Sequence, residues 1–274
     1  MTTWADLFRP GDATDFFQPP PAQPFNAGSR QYDPANAQWL AELCRLVYRD
    51  NDDRRDFLAR AGLEELKFIR GGADTQAYLV RARSGQWAAL VFRGTSSPMD
   101  FVIDTGFLLW PWTKGGFVHH GFRRAIRAVW NDELLRALNE LECPLYYSGH
   151  SLGAALATLA ASLRPATAVY TFGSPFVGTR GFTATVSGTP IFRVVDHDDL
   201  VARVPLPIRL LLPYVHVGEL HPLTHVPEES HGHTADSLIK CLKARSLTSL
   251  QATLPGPPDP LADHAPINYV RRIS

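Results

Sequence analysis

The 274-residue sequence lacks several features that define whole classes of protein. Its three cysteines, Cys44, Cys143 and Cys241, are far apart and odd in number, so we expect reduced thiols and neither a disulfide framework nor a C-x-x-C metal site. No stretch approaches the roughly 20 apolar residues of a membrane-spanning helix. The N-terminus shows no basic segment followed by an apolar one, as a signal peptide would. We therefore expect a cytoplasmic protein by default, with non-classical export as the alternative.

The sequence also has no excess of either positive or negative charge. Lysine and arginine number 27, and aspartate and glutamate also number 27. A neutral chain lacks the basic footprint of nucleic-acid binding, and it predicts no polybasic patch that would hold the protein to anionic lipid. We therefore expect no nucleic-acid partner and a neutral or apolar small molecule as substrate.

What the sequence has is the pattern of a large α/β domain. Hydrophobic residues make up 45% of the chain, enough for a substantial core. Residues 1–34, rich in Pro, Phe and Gln, predict an N-terminal arm, and residues 35–274 predict a single domain. Predicted strands are 65–70, 75–81, 87–92, 144–148, 168–172 and 191–195, and predicted helices are 35–49, 117–131, 132–142, 152–163 and 238–244. Their alternation indicates a mostly parallel central sheet with helices on both faces.

The pentapeptide Gly149–Gly153 (GHSLG) is the main chemical signal. A strand before it and the Ala/Leu-rich helix 152–163 behind it are typical of a nucleophile elbow, in which a sharp turn presents Ser151 beyond the strand end. The helix N-terminus there favours a developing oxyanion, and the N–H of Leu152 would be one donor. The alternative is an ordinary strand–Gly–helix junction with a capping serine.

A serine nucleophile needs a base, and the fold places the acid and then the histidine after it in the chain. The acid candidates, Asp196, Asp198 and Asp199, follow the predicted strand 191–195. The histidines downstream are His197, His216, His221, His225, His231, His233 and His264. Spacing alone does not choose among either set.

Several motifs occur in the order found in the class 3 lipase family, the fungal-type triacylglycerol lipases and their bacterial, plant and feruloyl-esterase relatives. They are Val91–Thr95 (VFRGT), Val118–Phe122 (VHHGF), the Gly149–Gly153 elbow, Thr171–Gly178 (TFGSPFVG) and Arg193–Pro205. The sequence therefore resembles this family over roughly residues 75–272. The resemblance implies an α/β-hydrolase fold and a serine ester hydrolase of the triacylglycerol lipase or carboxylesterase type.

The resemblance also implies roles for single residues. It indicates Asp199 as the acid, with Asp198 as runner-up, while Asp196 falls where the family often has asparagine. It indicates His264 as the base, in an Asp-His segment followed by the aromatic Tyr269, with His231 and His233 as runners-up. It makes the Thr95 N–H the second oxyanion donor. His150, His119, His120 and His216 are interpreted as structural.

Relatives carry a lid where this chain has residues 96–117. The apolar residues predicted to cover the pocket and meet a lipid surface include Phe101, Val102, Phe107, Leu108 and Trp110. The alternative is a strand and loop that contribute to the core.

The sequence thus predicts a lipase-like carboxylic ester hydrolase that cleaves acylglycerols or related lipid esters through a Ser-His-Asp triad and an acyl-enzyme. Two alternatives are an esterase for short-chain or feruloyl-type esters and a non-catalytic binding protein on a hydrolase scaffold. No metal or organic cofactor is implied. The expected partners are the ester or lipid substrate and, transiently, a lipid interface.

Overall fold

The computed structural model describes residues 2–49, 53–72, 75–94, 108–204, 213–223, 251 and 254–273. Its strands are β1 Leu63–Arg70, β2 Gln76–Ala82, β3 Ala88–Phe92, β4 Leu109–Pro111, β5 Phe117–His119, β6 Leu145–His150, β7 Ala168–Phe172, β8 Gly178–Thr179, β9 Ile191–Asp196, β10 Tyr214–Val215 and β11 Glu219–Leu223. Its α-helices are α1 Trp4–Phe8, α2 Pro34–Leu46, α3 Asp53–Arg60, α4 His120–Val129, α5 Asp132–Asn139, α6 Leu152–Leu163, α7 Arg180–Thr183, α8 Asp259–Ala262 and α9 Pro266–Arg272.

A seven-stranded sheet in the order β1-β2-β3-β6-β7-β9-β11 forms the centre of the fold. The first three strands are antiparallel because short turns join them, and β3, β6, β7, β9 and β11 run parallel. The predicted α/β-hydrolase fold, with its mostly parallel sheet, is confirmed. The strand and helix on either side of Ser151 lie where the sequence predicted them, at 145–150 and 152–163.

Helices cover both faces of this sheet. Helix α6 is buried along nearly its whole length, because its alanine side chains let it pack closely on β3, β6 and β7. Helix α2 packs against the opposite face, with α9 beside it. Within the described ranges, no helix is long and apolar enough to cross a membrane.

The arm runs over the α2 side of the molecule. Phe16 and Phe17 are buried in the same core as α2, and the ring of Phe25 stacks on Trp87 at a centroid distance of 3.9 Å. The backbone N–H of Asp33 donates to the hydroxyl of Tyr170 on β7 at 3.0 Å. These contacts make the arm part of the packed structure.

A second, four-stranded antiparallel sheet, in the order β10-β8-β5-β4, was not predicted. The predicted helix 117–131 begins instead with strand β5, and α4 follows it from His120. The predicted helix 238–244 lies outside the described residues.

Candidate active site

The turn between β6 and α6 is strained and tightly packed. Ser151 has φ 59° and ψ −124°, a left-handed conformation that is rare for a residue with a side chain. A Cβ on Gly149 would lie 2.2 Å from the carbonyl carbon of Gly153, and one on Gly153 would lie 2.1 Å from the carbonyl oxygen of Phe92. Both glycines are therefore needed for the helix to start this close to the sheet.

Asp199 and His264 form a buried pair. Asp199 lies three residues after β9, and His264 lies between α8 and α9. His264 Nδ1 is 3.0 Å from Asp199 Oδ1 and 2.9 Å from Oδ2, and each residue is only 1% exposed. A carboxylate accepts only, so Nδ1 carries the proton that is donated to Asp199.

Other donors hold the Asp199 carboxylate in place. The N–H of Val201 donates to Oδ1 at 2.8 Å, and the hydroxyl of Tyr269 donates to Oδ2 at 2.5 Å. Burial raises the pKa of this carboxyl, but the charge of His264 and the hydrogen bonds from His264 and Tyr269 outweigh it, so the pKa lies below its ordinary value. Burial, together with the charge of Asp199, raises the pKa of Tyr269 well above its usual range, so the phenol stays a donor.

The His264 ring also lies beside the nucleophile elbow. The ring of His150, the residue before Ser151, has its centroid 4.4 Å from that of His264, and His150 Nε2 donates to the His264 carbonyl at 2.7 Å. His264 Nε2 is buried and has no hydrogen-bond partner among the described residues. Gly173, with φ 57°, borders the pair: a Cβ there would lie 2.5 Å from Asp199 Oδ2 and 2.9 Å from His264 Nδ1.

The buried Tyr48, two residues after the end of α2, contacts the histidine of the nucleophile elbow. Because His150 Nε2 carries a proton, its Nδ1 accepts, and the hydroxyl of Tyr48 donates to it at 3.2 Å. The same hydroxyl accepts a hydrogen bond from the backbone of Gly94, just past β3. Burial, with His264 nearby, lowers the pKa of His150 to about 3, so this histidine is neutral. Sequence reasoning missed Tyr48, which lies outside the matched motifs.

Part of the chain is similar in sequence to known proteins. Residues 89–208 match the family model described as Lipase (class 3). The lipase of Rhizomucor miehei is 31% identical over 195 residues, covering 63% of this chain and 53% of its own length. The secreted mono- and diacylglycerol lipase A of Penicillium cyclopium is 32% identical over 177 residues, covering 60% and 56%. The chain thus spans about half the length of these curated relatives.

Solved structures agree. Lipase II from Rhizopus niveus superposes with a TM-score of 0.58 and 26% identity, covering 69% of this chain and 78% of that one. A triacylglycerol lipase whose catalytic centre is formed by a serine protease triad has a TM-score of 0.54 and 28% identity, covering 61% and 69%. Over residues 89–208, this chain is similar to the class 3 lipase family.

The structure brings together most of the residues that this family's pattern singled out. Ser151, Leu152, Asp199 and His264 lie at one end of the parallel strands, whereas the runner-up Asp198 forms an ion pair with Arg203. The remaining predicted positions lie outside the described residues: Thr95, Phe101, Val102, Phe107, His231 and His233.

Two predicted lid residues are described. Leu108 precedes β4 and Trp110 lies within it, and they are 66% and 47% exposed. Their neighbour Trp112 is buried, and its indole N–H donates to Ser162 Oγ at 2.9 Å. Part of the 96–117 segment is therefore an outlying strand, followed by a tryptophan that contributes to the core.

One departure from the class 3 lipase pattern lies directly behind the acid. Asp196, where the family often has asparagine, is fully buried, and Arg272 donates to its Oδ2. Its Oδ1 has no hydrogen-bond partner among the described residues. Burial raises the pKa of this carboxyl to about 7, against the lowering influence of Arg272.

Proposed function

We propose that this protein is a serine ester hydrolase that cleaves acylglycerols or related lipid esters. The observation that carries the proposal is the buried Asp199–His264 pair, which lies against the residue before a strained serine. Within the described part of the chain, His264 Nε2 has no hydrogen-bond partner. The names of the relatives, lipases and acylglycerol lipases among them, support the substrate class. The match of residues 89–208 to the class 3 lipase family supports the reaction type.

In this proposal the chemistry proceeds in two steps. Ser151 Oγ attacks the ester carbonyl while His264 Nε2 takes its proton, and the tetrahedral intermediate collapses as His264 returns that proton to the departing alcohol. A water molecule then attacks the acyl-enzyme by the same route and releases the carboxylic acid. Asp199 holds the imidazole in the tautomer that leaves Nε2 able to accept, and its charge stabilises the imidazolium.

Backbone donors would stabilise the oxyanion. Leu152 is the first residue of α6, so its N–H has no intrahelical acceptor, and the helix dipole adds to its effect. The family resemblance proposes the Thr95 N–H as the second donor. Removal of one such donor typically lowers kcat by about 100- to 1000-fold.

The first test is turnover of a soluble short-chain p-nitrophenyl ester. We expect Ser151→Ala and His264→Ala each to lower kcat by roughly 10⁴-fold or more. His233→Ala, at the alternative base, serves as the control and should retain activity. An organophosphonate reagent should add its mass to the peptide that contains Ser151 in the wild type only. Absence of both turnover and labelling would favour a non-catalytic scaffold.

The second test addresses the substrate. Activity is measured on a series of acylglycerols and p-nitrophenyl esters of increasing chain length, below and above the concentration at which each forms an emulsion. A lipase-like enzyme should prefer the longer acyl chains and gain rate at the emulsion. Preference for short or feruloyl esters, with no gain at the interface, would overturn the lipid-ester assignment and leave the ester hydrolase in place.

A further inference from the structure

The acid and the base of the candidate site lie on two separate segments of the chain. Asp199 belongs to the loop that follows β9, and His264 lies between α8 and α9, 65 positions later. The loop on the acid side is strained, because His197 has φ 26°, in the left-handed region that residues with a side chain rarely adopt. Contacts between the two segments therefore determine whether Asp199 and His264 stay within hydrogen-bond distance.

Arg272, the last residue of α9, joins these two segments. Its Nη1 donates to Asp196 Oδ2, at the end of β9, and to Asp263 Oδ1 at 2.9 Å. Asp196 is three residues before the acid Asp199, and Asp263 directly precedes the base His264. A single guanidinium nitrogen thus holds the segment that carries the acid to the segment that carries the base.

Burial makes this bridge necessary. Asp196 is fully buried and Asp263 is 3% exposed, so both carboxylates have lost most of their hydration and require a compensating charge. Within the described ranges, Asp196 Oδ1 has no hydrogen-bond partner, so the link from this side chain to the base segment passes through Arg272. Because both carboxylates meet the same nitrogen, they would repel each other if the guanidinium were absent.

The carboxylate of Asp263 carries the contact into the strained loop. Its Oδ2 accepts a hydrogen bond from the backbone N–H of Asp198 at 3.2 Å, and the same oxygen lies 3.6 Å from Nδ1 of His197. Arg272 holds the other oxygen of the same carboxylate. Arg272 therefore orients Asp263 so that it can fix the loop just before the acid.

We propose that Arg272 is a positioning residue for the ester hydrolysis. Its bridge between the two buried carboxylates holds the imidazole of His264 within hydrogen-bond distance of Asp199. This inference rests on the proposed function for its effect on the rate, but the hydrogen bond that it protects exists without turnover. Asp196 stands where the class 3 lipase pattern often has asparagine, so the second carboxylate, and with it the need for a cation, departs from that pattern.

The first test removes the cation from the full-length protein with Arg272→Gln. The two carboxylates should then separate and move the base away from the acid, lowering kcat for a soluble short-chain p-nitrophenyl ester by roughly 100-fold. KM should stay within about twofold, because the change acts on the reacting groups and not on substrate binding. Arg272→Lys keeps the charge, and since one nitrogen makes both contacts it should recover about tenfold of the loss. Rates are compared under conditions where urea unfolding shows each variant to be folded.

The second test removes the repulsion instead of restoring the cation. The double variant Asp196→Asn/Arg272→Gln has a neutral amide in place of one carboxylate, and its kcat should be about tenfold or more above that of Arg272→Gln. Asp196→Asn alone, which leaves Arg272 on Asp263, should stay within a few fold of the wild type. A double variant that is no more active than Arg272→Gln would overturn the proposal.

A matched control is Arg45→Gln on α2. Arg45 is also a buried arginine between two carboxylates, those of Asp15 and Glu42, but it ties the arm to α2 and not the acid to the base. Its loss should lower stability, as the loss of Arg272 does, yet leave kcat of the folded protein within about twofold of the wild type. If kcat of folded Arg272→Gln is equally unchanged, Arg272 stabilises the fold only and the proposal is wrong.

Failure of this inference is distinguishable from failure of the proposed function, because the hydrogen bond between base and acid can be observed without turnover. The His264 Nδ1 proton that is donated to Asp199 should give a far-downfield NMR signal that is absent in His264→Ala. If the wild type hydrolyses no ester, loss of this signal in Arg272→Gln and its return in the double variant would still support the positioning role. If the wild type is active and both the signal and kcat persist in Arg272→Gln, only the positioning role is refuted.

Discussion

At the scale of single residues, the Asp199 carboxylate is held by a dense set of donors. Exchange for asparagine keeps the shape of this side chain, but its amide group would face His264 Nδ1 or Tyr269 with a donor. His264 would then favour the tautomer in which Nε2 carries the proton and cannot accept one. We expect Asp199→Asn to lower kcat for a soluble ester by roughly 10⁴-fold.

The control for this prediction is Asp198→Asn. Asp198 is ion-paired to Arg203 near the surface, whereas the carboxylate that meets His264 Nδ1 belongs to Asp199. It should keep kcat within a few fold of the wild type. The reverse result, with Asp198→Asn inactive and Asp199→Asn active, would move the acid to the runner-up.

Asp196 gives the protein a pH dependence of the opposite kind to Asp199. Its pKa is raised in the folded state from 3.8 to about 7, mainly by burial, with Arg272 opposing and Asp263 and Asp199 adding to the rise. Stability from this group is therefore fully present below about pH 4 and is lost as the pH rises through about 7. At about 1.4 kcal/mol per pKa unit, the loss is on the order of 4 kcal/mol. Asp199, whose pKa is lowered, loses its contribution only as the pH falls below about 4.

We therefore expect Asp196→Asn to gain stability relative to the wild type as the pH rises from 4 to 8. Urea unfolding at several pH values measures the difference in free energy of unfolding. Glu142→Gln, at an exposed carboxyl, provides a curve that should stay parallel to the wild type. A constant difference between Asp196→Asn and wild type across this range would show that Arg272 keeps Asp196 ionised at all these pH values.

At the scale of elements, the close approach of α6 to β3 positions Ser151 and Leu152. A Cβ on Gly153 would meet backbone atoms of Phe92 and Arg93, which cannot swing aside as a side chain does. Gly153→Ala should push the start of α6 away from the sheet, lower the free energy of unfolding by about 1–3 kcal/mol and lower kcat by about 100-fold. Gly188→Ala, where a Cβ meets nothing within 4 Å, should change stability by no more than about 0.5 kcal/mol. Equal effects of the two substitutions on kcat would refute this account.

Elements also show what the sequence can predict and what it cannot. Strand β7 and helix α6 have the predicted bounds, since a continuous apolar run and an Ala/Leu run are signals carried by the segment itself. Strands β8 and β10 have two residues each, too short for any periodicity, and they exist because distant segments pair with them. For the same reason nothing in the sequence near Tyr48 indicates that its hydroxyl meets His150, 102 positions later.

At the scale of the whole molecule, the proline-rich arm is part of the packed structure. Phe16 is only 2% exposed and meets Phe57 edge-to-face at 5.0 Å. The guanidinium of Arg45 lies over the Phe16 ring, 4.7 Å from its centroid. The arm thus completes one side of the core that α2 begins, and the family's motifs occupy the other part of the chain.

This packing predicts that the arm contributes to global stability. Phe16→Ala should remove a buried ring and leave a cavity beside Phe57, lowering the free energy of unfolding by about 3–5 kcal/mol in urea. Thr14→Ala, two residues away and exposed, should change it by less than about 0.5 kcal/mol. The unfolding of Phe16→Ala should remain a single transition, because the ring belongs to the same core as α2 and β2. A change below about 0.5 kcal/mol, or a separate early transition, would instead mean that the arm folds onto a domain that is stable without it.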